Sequence, residues 1–134
     1  MYLLDTVVIS ELRKKDRNPG VVSWFQDKKD TDLFLSVLTI GEIRRGICQQ
    51  ETKNRLFADR LATWLDSILN FYGERILPVT TPIALEWGNI CARTGNNGAD
   101  NLIAATAKVH HLSVITRNIK HFDGVGISCY NPWI

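Results

Sequence analysis

Tyr2-Leu3-Leu4-Asp5-Thr6-Val7-Val8-Ile9-Ser10-Glu11-Leu12 opens with a short apolar run that stops at an acid, after which Val8, Ile9 and Leu12 recur at helical spacing. That is a strand followed at once by a helix. Leu33-Phe34-Leu35-Ser36-Val37 and Leu112-Ser113-Val114-Ile115-Thr116 repeat the pattern as compact apolar runs without in-and-out alternation, which is how strands buried on both faces read. Shorter strands are expected at Ile76-Leu77-Pro78-Val79 and from Gly126 to Tyr130. Between them the apolar period becomes helical. Asn18-Pro19-Gly20 breaks the chain, and Val21, Val22 and Phe25 mark a short helix ending at Lys28-Lys29, where cations suit the helix dipole. A helix beginning at Thr39 sets Ile40, Ile43 and Ile47 on one side. The next carries Phe57, Leu61, Trp64, Leu65, Ile68 and Tyr72 as a wide stripe and stops at Gly73. Thr81-Pro82 reads as a cap with proline at the first helical position, ahead of Ile83, Trp87, Ile90 and Cys91. After the loop Gly95-Asn96-Asn97-Gly98, a helix from Asp100 turns Leu102, Ile103, Thr106 and Val109 inward. Strands separated by helices predict an α/β domain whose mainly parallel sheet is covered on both sides.

A chain of 134 residues suits a single domain, residues 1–134, with a core that needs no staples. No apolar run approaches the roughly 18 residues that cross a bilayer, and the opening residues lack a basic stretch leading into a hydrophobic one, so a cytoplasmic location is expected. Cys48, Cys91 and Cys129 are odd in number and widely spaced, and read as reduced, buried thiols. A net charge of +2 is too small to announce a nucleic-acid binder. Arg13-Lys14-Lys15 with Arg17, Lys28-Lys29 and Arg44-Arg45 are local clusters that fit either a phosphate track or solvated helix ends. No Gly-rich phosphate loop or G-x-S-x-G elbow occurs, His110 and His111 point apart on a helix, and His121 has no partner at ligand spacing. Nucleotide-dependent, serine-hydrolase and zinc readings are thereby left without support. Trp24, Phe25 and Trp64 read as core, with interface anchors as the alternative.

The acids are distributed less evenly. In open α/β sheets, ligands bind beyond the carboxyl ends of the strands. Asp5 follows the first strand, Glu42 lies in the first turn of the helix after the second, and Thr116 and Asn118 follow the strand ending at Ile115. Asp100 opens the helix leading into that same strand. Each acid also has a local explanation: Asp5 as a helix cap, Thr39 and Glu42 as a capping box, Asp100 as a charge at a helix N-terminus. Their joint placement favours a shared role. Gathered carboxylates repel and hold one another's pKa values up, which a divalent cation relieves, and magnesium or manganese prefers such oxygen ligands.

Four stretches then look familiar together: Leu3-Leu4-Asp5-Thr6 with Ile9-Ser10-Glu11-Leu12; Leu35 to Gly46, containing Thr39-Ile40-Gly41-Glu42 and Arg44-Arg45; Asp100-Asn101-Leu102-Ile103-Ala104-Ala105; and Thr116-Arg117-Asn118 before Phe122. In this order they resemble the PIN-domain family, and within it the toxin ribonucleases of VapBC-type toxin–antitoxin modules, including the FitB branch. The resemblance implies a central parallel sheet of strand order 3-2-1-4-5 flanked by helices. It implies a magnesium or manganese site held by Asp5, Glu42 and Asp100, with Asn118 as a fourth polar position and Thr116 and Thr6 orienting the acids. Endonucleolytic hydrolysis of RNA, tRNA among the targets, would follow, with Arg44, Arg45 and Arg117 on the phosphates. The expected partners are a second copy of the chain, a VapB-type antitoxin lying across the pocket, and operator DNA reached only through that antitoxin.

This sequence departs from the pattern at two places. Val7 stands where relatives usually carry asparagine, and His121 where many carry another acid, while Asp123 just beyond reads as an exposed loop residue. Val7 and Asn118 keep open a rival of another class, a catalytically weak subunit that serves mainly as partner of a DNA-bound repressor. A second rival is a nuclease of related fold acting on DNA.

Overall fold

The computed structural model describes every residue from Met1 to Ile134. Five strands form one parallel sheet in the order β3-β2-β1-β4-β5, with β1 at Tyr2–Leu4, β2 at Leu33–Ser36, β3 at Ile76–Leu77, β4 at Ser113–Ile115 and β5 at Cys129–Tyr130. Six helices surround it: α1 Thr6–Arg13, α2 Pro19–Gln26, α3 Val37–Glu51, α4 Arg55–Tyr72, α5 Thr81–Thr94 and α6 Ala99–His110. The α/β class and the strand order are as the sequence and the resemblance led one to expect.

The expectation of strands buried on both faces holds in β1 and β4. Leu3 and Val114 join one core with Ile83, Ile90, Ile103 and Ala104 of α5 and α6. Leu4 and Ile115 face the opposite core, with Val8 and Ile9 of α1, Val21 of α2 and Tyr72 of α4. All four strand residues are fully buried. Truncating any of the leucines to alanine would cost about 2–5 kcal/mol, since close-packed surroundings relax only partly into the cavity. Strand β1 therefore serves both cores, and its last residue delivers Asp5 to the sheet edge.

Several boundaries differ from the sequence reading. Strand β2 stops at Ser36, because the Ser36 hydroxyl accepts from Leu38 N–H at 3.1 Å and starts α3 at Val37 instead of Thr39. Thr39 and Glu42 therefore form no capping box, and Thr39 is wholly buried. Helix α5 is capped by Thr80, not Thr81, with Pro82 in its first turn. Strands β3 and β5 keep only two residues each. Helix α6 is buried along an unbroken stretch from Ile103 to Ala107, wider than the expected stripe, whereas Leu102 and Val109 are half-buried. Cys48 is exposed and the other two cysteines partly so, correcting the expectation of buried thiols, though none is bridged.

The break at Asn18-Pro19-Gly20 is also a clasp. Asn18 Oδ1 accepts from Gly20 N at 3.0 Å, capping α2, and from Ile134 N at 3.2 Å, while its amide donates to Ile134 O at 3.0 Å. A side chain on Gly20 would run into the Pro132 carbonyl and Ile134, so only glycine lets the C-terminal stretch of chain lie there.

Candidate active site

In the sheet the chain builds β1, β2 and β3 outward on one side, then crosses to β4 and β5 on the other. The reversal falls between β1 and β4, where Leu4 pairs with Ile115 and Asp5 N–H donates to Ile115 O at 2.9 Å. A crevice opens past strand ends at such a point. Asp5 and Thr116, the next residues on the two strands, meet there: Thr116 Oγ1 donates to Asp5 Oδ2 at 2.8 Å, with Thr116 wholly buried and Asp5 nearly so. Asp5 also caps α1, its Oδ1 accepting from Thr6 N–H at 2.8 Å. The capping and site readings of Asp5 are thus both satisfied by one carboxylate.

Glu42 arrives from α3. Thr6 Oγ1 donates to Glu42 Oε1 at 2.6 Å and stands 3.0 Å from Thr39 Oγ1. A hydroxyl has one proton, so Thr39 is the donor in that second contact. The two threonines form a relay that points Glu42 toward the crevice, and Thr39 in this role was not read from the sequence.

Asp100 arrives from the first turn of α6. Its Oδ2 lies 2.9 Å from His121 Nδ1, in the short 3-10 turn after β4. His121, read from the sequence only as lacking a partner at metal-ligand spacing, thus pairs with Asp100 across the fold. Behind Asp100, the buried Asn101 donates to Thr94 Oγ1 at 3.2 Å and to the Asn96 carbonyl, locking the α5–α6 loop and so the start of α6.

Burial pushes the Asp5 carboxyl above its ordinary value of 3.8; hydrogen bonds from Thr116 and Thr6 oppose that rise, and the charges of Asp100 and Glu42 add to it. All three acids therefore share one electrostatic neighbourhood. They do not close on one point: no three His, Cys, Asp or Glu side chains stand together at the spacing of a ligand cluster. The donor set nevertheless suits a hard divalent ion. It is made of oxygens, one member is buried against its preference for charge, and magnesium keeps several waters while taking only one or two carboxylates directly.

The other expected residues are less engaged. Asn118 reaches the site through its backbone, its N–H donating to Thr116 Oγ1 at 3.0 Å and its carbonyl accepting from His121 N–H at 3.0 Å. Arg44 and Arg45 are exposed on α3. Arg117 is exposed too, its guanidinium 5.4 Å from the Trp133 ring centre. Val7 is half-buried against the core of α1 and α2, and Asp123 is exposed, as expected. Trp24, Phe25 and Trp64 pack half-buried against that same core.

Comparison with known proteins agrees with this fold. Toxin FitB of Neisseria gonorrhoeae is 36% identical over 140 residues, covering 99% of each chain. VapC ribonuclease Y4jK of Sinorhizobium fredii is 32% identical, covering 99% of this chain and 98% of its own. The solved structure of FitAB bound to an IR36 DNA fragment superposes with a TM-score of 0.82 at 35% identity, covering 100% of this chain and 96% of that one. The family model described as PIN domain matches residues 2–127, which hold every strand but β5 and all three acids, and the chain belongs to the PIN-domain family.

Proposed function

We propose that this chain, as one domain over residues 1–134, is the toxin of a VapBC-type toxin–antitoxin pair and a magnesium- or manganese-dependent endoribonuclease with tRNA among its targets. The observation that carries the reading is Asp5. This nearly buried carboxylate stands where β1 and β4 part, gripped by Thr116 at 2.8 Å, and Glu42 and Asp100 are near enough to disfavour its charge, an arrangement that a divalent cation would make favourable. Asp5, Glu42 and Asp100 would hold the ion, directly or through water.

When bound, the ion supplies positive charge to the scissile phosphate and acidifies the attacking water. The chain supplies the geometry. Thr116 and Thr6 each hold one carboxylate oxygen, leaving the second oxygen of Glu42 unengaged, and His121 does the same for Asp100. In hydrolysis the water oxygen bonds to phosphorus and gives up a proton to solvent as the bond to one ribose oxygen breaks, and that oxygen takes a proton from solvent. Arg44, Arg45 and Arg117 would meet phosphates on the exposed rim, a salt-sensitive and largely sequence-blind attraction.

A cognate VapB-type antitoxin as inhibitor, operator DNA contacted through it, and a homodimeric toxin complete the proposal. The likeness to a toxin and to a DNA-bound FitAB assembly supports this. No helix is long and apolar enough to cross a membrane, and the proposed place of action is the cytoplasm.

Induced expression of the wild type beside Asp5→Asn and Asp100→Asn, with folding checked by circular dichroism, tests the reading. Growth arrest and RNA breakdown by the wild type alone are expected; equal toxicity of both folded variants would overturn it. The second reading, a catalytically weak subunit, is favoured by Val7, which packs on the core and brings no polar atom to the acids. A wild type inert toward RNA in manganese, yet tightly bound to its antitoxin, would select it.

A further inference from the structure

Helix α1 leads away from the acids, and its side chains at Thr6, Ser10 and Arg13 fall on one line, each a turn beyond the last. Helix α4 presents Phe57, Leu61 and Trp64 at the same spacing opposite them. Between the two lines runs a cleft of about 230 Å³, lined also by Glu42 and Gly46 of α3. Past Arg13 it passes into a second cleft of about 430 Å³, which shares Arg13, Phe57, Leu61 and Trp64. The second cleft adds Lys14, Lys15 and Arg60, and no acidic side chain lines it. The Arg13 guanidinium lies 5.4 Å from the Phe57 ring centre and 5.8 Å from that of Trp64, and Arg60 lies 5.8 Å from Phe57.

We infer that this groove between α1, α3 and α4 is the track of a single-stranded RNA substrate, with a base beside the scissile phosphate stacking on Phe57, Trp64 and Arg13. The inference rests on the ribonuclease reading and adds to it where the strand lies. Three features commit the groove to a polyanion with flat bases. It begins at Thr6 and Glu42, so a strand along it places a phosphate at the acids. From Thr6 to Arg13 is on the order of 10 Å along α1, a reach within one or two nucleotides of the acids. Its far end offers Arg13, Lys15 and Arg60 around aromatic faces, with Lys14 beside them paired to Glu11 at 3.0 Å, the combination by which proteins hold single strands: charge for the backbone, rings and guanidinium planes for the bases. The half-buried rings explain why the α4 stripe, read as core in the sequence, leaves a face open.

Gly46 gives a test that removes nothing. A Cβ built there meets no atom within 4 Å, so a side chain on Gly46 starts into open space and Gly46→Leu projects into the cleft that Gly46 lines. Binding of a fluorescent 12-nucleotide single-stranded RNA is followed by anisotropy in an Asp5→Asn background, which holds the strand uncut. Gly46→Leu should keep or raise the melting temperature and weaken binding about tenfold, and Phe57→Leu should weaken it similarly by loss of stacking, without changing the salt dependence. Arg13→Ala and Arg60→Ala should each weaken binding about fourfold at 0.15 M salt and lower the slope of log K against log salt by about 0.7. Lys29→Ala, which removes an exposed charge outside the groove, should stay within about twofold of the parent. If the wild type cuts RNA but the folded groove variants bind it with parental affinity and slope, this inference fails while the nuclease reading stands. It fails in the same way if Gly46→Leu and Phe57→Leu spare RNA binding but abolish association with the antitoxin. A wild type that neither binds nor cuts RNA overturns both.

Discussion

Replacing Thr116 by valine isolates the contact on which the placement of Asp5 depends. Valine matches threonine in shape, so the wholly buried site gains no cavity, and the change is the loss of the 2.8 Å hydrogen bond to Asp5 Oδ2. A hydrogen bond to a charged group is worth about 1.5–3 kcal/mol. Asn118 N–H also loses its acceptor, but Asn118 is exposed and water replaces it. The expected cost is therefore about 2 kcal/mol at neutral pH. With about 2.1 cal/mol/K of unfolding entropy per residue, a chain of 134 residues should melt about 7 °C lower. The pH dependence has a definite sign. Asp5 ionises less readily folded than unfolded, so its own contribution to stability declines as pH rises from 3.8 to the raised folded value and is level above it. Without the hydroxyl the folded value rises further, so the gap between variant and wild type widens with pH and is smallest below 3.8. Thr116→Ser loses one methyl, about 1 kcal/mol, but keeps the hydroxyl, so its deficit should not vary with pH. Calorimetry of the three proteins across pH decides. A Thr116→Val protein within about 0.5 kcal/mol of wild type, or with a deficit equal at low and neutral pH, would refute the reasoning.

Asp5→Asn removes the disfavoured charge, and Thr116 can turn from donor to acceptor for the new amide, so thermal scans at neutral pH in EDTA should show a melting temperature above wild type; a fall of several degrees would contradict this. His121→Asn sets an amide nitrogen where the imidazole Nδ1 stood and should preserve manganese affinity, whereas His121→Gln and His121→Ala should weaken it about tenfold in calorimetric titrations. Equal affinity in all three would mean that His121 does not position Asp100. Gly20→Ala drives a methyl onto the Pro132 carbonyl and should cost about 1–3 kcal/mol while speeding amide exchange at Trp133 and Ile134; unchanged exchange would show that the tail is not held by this approach.

The sheet was legible because its central strands carry their burial in composition. Leu3-Leu4 and Val114-Ile115 need apolar neighbours on both faces, and only a covered parallel sheet supplies them. Asp5 was legible for a related reason, being the first polar residue after such a run. Glu42 lies in the second turn of α3 and not the first, because the helix starts from Ser36 and not from Thr39, and that start depends on the β2 register, which only pairing with β1 and β3 fixes. The His121 to Asp100 contact joins residues separated by a whole helix and strand, so no local pattern signals it. The groove was hidden for another reason. Phe57, Leu61 and Trp64 have the spacing of a buried stripe, and a stripe that stays half-open reads identically until the neighbouring helices are in place. Cys48 was misread because cysteine is most often buried, and its place on the outer face of α3 depends on the packing of α4.

Asp5, Glu42 and Asp100, from three separate elements, are proposed to bind one cation together, directly or through water. Calorimetric titration of manganese into the wild type and into Asp5→Asn, Glu42→Gln and Asp100→Asn, each verified as folded, tests this most directly. Saturable binding by the wild type, weakened at least about tenfold by each single replacement, is the predicted result. A wild type that takes up no manganese, or binding unchanged when the acids are neutralised one at a time, would contradict it.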